Sequence, residues 1–183
     1  MVKPFHRHES RHLLETPIFK LRQDVASHPG TGHTGHYVVL ESPDWVNVVA
    51  LTEAGEVILV RQWRHGTRSV ELEIPAGLVD AGEDPMHAAA RELREETGYV
   101  PARMRMLGNV APNAAYQDNT CWTVLAEGCR LEAATDFDAG EDLEVEVVSE
   151  DALWAAVRAG EIRNGMVICG LFWWQDARQR GAL

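Results

Sequence analysis

The chain has 183 residues, 45% of them hydrophobic, and 28 Asp and Glu stand against 17 Lys and Arg for a formal charge of −11. A chain of this size buries a substantial core without disulfides or structural metal, so one compact domain is expected, and the acidic balance excludes polymeric nucleic acid as a partner. An acidic protein that acts on an anion must neutralise charge locally, by metal ions aided by a few arginines.

Residues 1–18 are polar and rich in histidine, and residues 1–35 are read as an N-terminal extension to a main domain at 36–183. Phe19 to Val25 reads as a strand, and Ser27 to Gly35 as a loop by its Gly and Pro content. His28, His33 and His36 lack helical spacing and Cys or carboxylate partners, so they are read as surface histidines rather than metal ligands. Short apolar runs at His36–Leu40, Trp45–Leu51 and Val57–Trp63, separated by Ser-Pro-Asp and Glu-Ala-Gly turns, predict successive strands. Val70–Ile74 predicts another, halted by Pro75, with Ala76-Gly77 opening a loop. After a helix come strands at Met104–Val110 and Thr120–Ala126, an acidic stretch from Asp136 to Glu146, and helices at Asp151–Arg158 and Met166–Arg178. The odd set Cys121, Cys129 and Cys169 fits reduced, mostly buried thiols. No apolar run is long enough for a bilayer span, so no membrane partner is expected, and a cytoplasmic location follows by default.

The informative segment runs from Gly77 to Tyr99. Asp84 suits an N-cap, Pro85 the first helical position and Gly98 a left-handed stop. Glu92, Glu95 and Glu96 stand at i, i+3 and i+4, which puts three carboxylates on one face, while Met86, Ala89 or Ala90, Leu93 and Thr97 form the packing face. Like charges so placed oppose the helix by a few tenths of a kcal/mol per pair, so a counter-charge belongs there. Clustered carboxylate oxygens suit Mg²⁺ or Mn²⁺ better than zinc or copper, and Arg91, one turn before Glu95, can orient a carboxylate. An acidic surface face balanced by Arg91 and Arg94 is the alternative that the helix alone leaves open.

Gly77, Glu83, Arg91, Glu92, Leu93, Glu95, Glu96 and Gly98 together match the signature of the Nudix hydrolase family, with Tyr99 a mild departure at its last position. On these 23 residues, about an eighth of the chain, the sequence resembles that family. The resemblance implies an α/β fold, an α/β/α sandwich with a mixed sheet plus the strand-rich N-terminal extension. It also implies that Glu92, Glu95 and Glu96 hold the metal with the backbone carbonyl of Ala76, that Glu83 supports them, and that Arg91 is their ion-pair partner.

Arg61-Gln62-Trp63-Arg64, Glu73-Ile-Pro-Ala-Gly77 and Glu141 to Ser149 resemble the branch that hydrolyses ADP-ribose and nucleoside diphosphate sugars. Pro112 lies fourteen residues after Gly98 where many of that branch have a proline at sixteen, a departure that leaves the sugar nucleotide open. Glu141 matches a loop glutamate that acts as base or orients the attacking water, so the catalytic set is Glu141, Glu95 and Arg91; a solvated acidic loop is the alternative for Glu141. Arg61, Arg64 and Glu73 are candidate substrate contacts, the arginines through paired bonds to phosphate oxygens, and Trp45 is a candidate for stacking on a base. Core packing of Trp45 and ordinary surface arginines are the competing readings. The branch further implies a homodimer built through the N-terminal strands. Hydrolysis of another diphosphate (a dinucleoside polyphosphate, coenzyme A or GDP-mannose) and a non-catalytic nucleotide-sensing module are the alternatives.

Overall fold

A computed structural model describes residues 1–132, 134–135 and 142–183, which form two units: residues 1–43 with 111–120, and residues 44–110 with 121–183. In the first, β1 (His6–Glu15), β2 (Lys20–Ser27) and β3 (Thr34–Glu41) make an antiparallel sheet in that order. Every residue of β1 is exposed, so the strand has no buried face to impose alternation, and the polar sequence hid it. Side chains hold it instead, with His12 2.6 Å from Glu41 and the Ser10 hydroxyl donating to Asp24 at 2.6 Å. His28 folds its own turn, its Nδ1 accepting from the backbone of Gly30 and Thr31 at 3.0 and 3.1 Å. The strand expected at His36–Leu40 belongs to this small sheet, within β3.

The second unit contains β4 (Trp45–Thr52), β5 (Val57–Arg64), β6 (Ser69–Glu73), β7 (Ala76–Leu78), α1 (Pro85–Thr97), β8 (Tyr99–Val100), β9 (Arg103–Val110), β10 (Cys121–Leu131), β11 (Leu143–Val148), α2 (Glu150–Ala159) and α3 (Gly165–Gln179). Its mixed sheet runs β11-β5-β4-β10-β8, with β6 on β5, β7 on β4 and β9 on β10; β4 and β10 are parallel. Helices cover both faces, which is why β4 and β5 read as nearly unbroken apolar runs. Alternate residues of β4 take opposite sides: Val46, Val48 and Ala50 pack with Ala88, Ala89 and Leu93 of α1, and Val49 packs with Leu153, Val167 and Leu171 of α2 and α3. Burying a side chain such as Leu93 contributes about 2 kcal/mol. The result is the α/β/α sandwich with a mixed sheet.

Two strands lie where the sequence indicated otherwise. Ala76–Leu78 pairs with Trp45–Asn47 although Pro75 and Gly77 signal a loop. Leu143–Val148, the end of the acidic stretch, is an antiparallel partner of β5, with Leu143 buried and Glu144 exposed. Among the described residues no helix is long and apolar enough to cross a membrane.

Strand β6 buries two carboxylates, Glu71 and Glu73, 4% and 1% exposed. Arg163 donates to Glu71 at 2.6 and 3.0 Å and the Ser69 hydroxyl at 2.6 Å, and these bonds, the Arg163 ones foremost, lower its pKa to about 2. A depressed folded-state pKa contributes stability that is complete above the unfolded value, near 4.5, and is lost as pH falls toward 2. Glu71→Gln should therefore flatten the acid limb of a melting-temperature profile between those two pH values. An unchanged acid limb would assign the acid sensitivity to other carboxylates.

Candidate active site

Helix α1 begins and ends as its sequence dictates. The Asp84 side chain accepts from the Met86 backbone at 2.8 Å, Pro85 occupies the first turn, and Gly98 at φ 74° closes the helix by donating to the Arg94 carbonyl. Its buried stripe is Ala88, Ala89, Leu93, Glu96 and Thr97, which corrects the expected packing face in one respect. Glu96, 4% exposed, lies on the buried side rather than opposite it. Its carboxylate accepts from the backbone N–H of Ala76 at 3.0 Å, so the start of β7 supplies the polar partner that burial demands.

Glu92 and Glu95 project from the same turn, with 13% and 36% side-chain exposure. Between them and Glu83 lies the Arg91 guanidinium. It donates to Glu83 at 3.2 and 3.0 Å, to the Leu78 carbonyl at 3.0 Å, to Glu92 at 2.8 Å and to Glu95 at 3.2 Å. The bond to Glu83 is foremost in raising the Arg91 pKa, and Arg91 in turn lowers that of Glu83. Arg91 thus fixes three carboxylates and one strand carbonyl at once, through a planar fork that a lysine lacks.

Gly77 makes this crowding possible. A Cβ built there would lie 2.0 Å from the Glu92 carboxyl carbon and 2.2 and 2.3 Å from its oxygens. Any side chain at position 77 would displace the carboxylate, so the glycine serves close approach.

Among the described residues no group of three or more His, Cys, Asp or Glu side chains is already arranged as a metal-binding cluster; Arg91 draws Glu92 and Glu95 toward itself. The donor set nevertheless fits a hard divalent cation. Hard oxygens lie on one helix turn, and the Gly77 backbone leaves Glu92 room that a Cβ would fill.

The expected substrate contacts divide. Arg64 grips Glu73 through Nε at 3.3 and 3.2 Å and Nη2 at 2.6 Å, leaving Nη1 with no partner among the described residues. Glu73 is 1% exposed and holds Arg64 in that pair. Arg61 pairs with Glu146 of β11, a partner hidden while residues 143–146 were read as an acidic run. Trp45 opens β4, half-buried, aligned between Leu78 and Cys121. Glu141 lies outside the described residues. Sequence reasoning missed Asn164, although Asn is a favoured N-cap: its side chain caps α3 and reaches Glu73 at 2.9 Å.

Comparison with known proteins identifies the family. The model of the NUDIX domain matches residues 42–167. An ADP-ribose pyrophosphatase of Bacillus subtilis is 37% identical over 117 residues, 63% of each chain. One from Mycobacterium tuberculosis is 35% identical over 157 residues, 84% of this chain and 75% of that one. The crystal structure of an ADP compounds hydrolase superposes with a TM-score of 0.87 at 20% identity, covering 100% of this chain and 99% of that one, which establishes the shared fold. Fold, signature helix and relatives agree, and the chain belongs to the Nudix family.

Proposed function

We propose that the protein hydrolyses the diphosphate linkage of a nucleoside diphosphate sugar such as ADP-ribose, giving a nucleoside monophosphate and a sugar phosphate. The observation that carries this reading is the carboxylate turn of α1, with Gly77 pressed against Glu92 and Arg91 spanning Glu83, Glu92 and Glu95. Relatives at 35–37% identity that are ADP-ribose pyrophosphatases support the substrate class.

Nudix hydrolases generally use divalent metal ions. Here Mg²⁺ or Mn²⁺ would be held by Glu92, Glu95, Glu96 and the Ala76 carbonyl; when bound, the cations neutralise diphosphate charge and acidify water in the site. Arg91 and the Ala76 N–H hold Glu92, Glu95 and Glu96 in place. Arg64 Nη1 donates to a diphosphate oxygen, and Arg61 is a second such contact once released from Glu146. Glu141 takes the proton of the attacking water. The water oxygen bonds to phosphorus, the bridging P–O bond breaks, and its electron pair leaves with one phosphate product.

The enzyme works as a homodimer, with the 1–35 extension in the interface. Strand β1 is an edge of its sheet, exposed throughout, and edges of this kind are commonly covered by association. Buried thiols without disulfides, at Cys121 and Cys129, accord with a reducing cytoplasmic setting.

One set of measurements tests the reading. Purified protein with Mg²⁺, Mn²⁺ or EDTA is assayed on ADP-ribose, GDP-mannose, NADH, diadenosine polyphosphates and coenzyme A, and its mass is determined by light scattering. ADP-ribose should show the highest kcat/KM, abolished by EDTA, in a species of twice 20.4 kDa. Preference for coenzyme A or a dinucleoside polyphosphate would reject the sugar nucleotide, and no turnover of any compound would favour a nucleotide sensor.

A further inference from the structure

Glu73 is 1% exposed, and burying a carboxylate is costly unless its oxygens find hydrogen-bond donors. Arg64 provides one side of that solvation, through Nε and Nη2. The other comes from Asn164, whose Nδ2 donates to Glu73 Oε1 at 2.9 Å. The Asn164 amide can sit only one way round. Its Oδ1 accepts from the Met166 backbone at 3.0 Å as the N-cap of α3, and a flipped amide would set N–H against N–H and oxygen against carboxylate.

Asn164 is itself anchored. The first turn of α3 is tied to the central sheet by Asn47, whose Nδ2 donates to the Met166 carbonyl at 2.8 Å. The positive end of α3 also favours the negative charge on Glu73. A continuous series of bonds therefore runs from β4 through the α3 N-terminus and Asn164 to Glu73, and ends on Nε and Nη2 of Arg64, which leaves Nη1 outside the series.

We propose that Asn164 is a positioning residue for substrate binding: acting through Glu73, it fixes the Arg64 guanidinium in the pose that grips the substrate's diphosphate. This rests on the reading of Arg64 as a diphosphate contact. Serine keeps a cap acceptor but is too short to donate to Glu73, and glycine is also tolerated at N-caps, so two variants remove the bond while leaving α3 able to form. Kinetics with ADP-ribose are measured for wild type, Asn164→Ser, Asn164→Gly, Arg64→Ala and the double variants. Either Asn164 change should raise KM about fivefold with kcat within about twofold, because binding geometry alone is disturbed. In the Arg64→Ala background the same change should raise KM by less than about 1.5-fold, since the two residues act as one unit.

An equal rise in KM with and without Arg64 would mark Asn164 as a merely structural cap and overturn the proposal. So would a fall in kcat at constant KM. If Arg64→Ala leaves KM at the wild-type value while ADP-ribose is still turned over, the proposal fails and the hydrolase reading stands. If the wild type turns over no nucleoside diphosphate derivative, that reading fails and takes this one with it.

Discussion

Glu92→Gln, Glu95→Gln and Glu96→Gln should each lower kcat by about a hundredfold or more in saturating Mg²⁺, because each removes one charge from the carboxylate turn with little change of shape. The three differ in what else they disturb. Glu96 is buried and accepts from Ala76 N–H, a bond that a glutamine oxygen can also accept, so its variant should fold and still lose turnover. Glu92 is held by Arg91 and pressed against Gly77. Glu95 has 36% side-chain exposure and a 3.2 Å bond to Arg91, an ion pair worth at most a fraction of a kcal/mol at such exposure. A large kcat effect at Glu95 with an unchanged melting temperature therefore separates chemistry from folding most cleanly. Near-normal turnover in that variant would remove α1 from the reaction.

How much of this was legible beforehand follows from which forces leave a periodic mark. Both ends of α1 were readable because Asp84, Pro85 and Gly98 act locally, through one side-chain acceptor, one fixed φ and one left-handed residue. Strands β4 and β5 were readable because burial on both faces demands unbroken apolar residues. Strand β1, held by cross-strand ion pairs and exposed on both faces, leaves no such mark. Strand β11 was obscured by Glu144 and Glu146, although Leu143 and Val145 supply its inward alternation. Within the site, spacing puts Glu92, Glu95 and Glu96 on neighbouring positions of one helix, and only the resemblance to the Nudix signature implies that they hold a metal. The partners of Arg61, Arg64 and Glu73 are 85, 9 and 91 residues away in sequence, and no local pattern marks contacts of that range. Glu96 shows a further limit, since its place on the buried stripe depends on a backbone N–H that only the fold of β7 brings near.

Arg91→Ala should destabilise the protein by about 2–3 kcal/mol when metal is withheld, and magnesium should recover much of that loss. The deletion strips the counter-charge from Glu83 and Glu92, whose side chains are 18% and 13% exposed, and it leaves the Leu78 carbonyl without its donor. Partly desolvated carboxylates left unpaired carry penalties of about 1–3 kcal/mol, whereas the more exposed Glu95 adds little. At this chain length the loss corresponds to a melting temperature lowered by about 4–12 °C. A cation that binds the native state at free concentration c raises stability by RT ln(1 + c/Kd), so the gain grows with its concentration relative to Kd, and in the variant it also neutralises carboxylates that nothing else neutralises. The rise in melting temperature on adding Mg²⁺ should therefore be larger for Arg91→Ala than for the wild type. Arg91→Lys should fall between the two, since a single ammonium cannot span Glu83, Glu92 and Glu95 together. Equal Mg²⁺ increments in all three proteins would mean that Arg91 and the cation do not share these carboxylates, and the metal would then have to be held elsewhere.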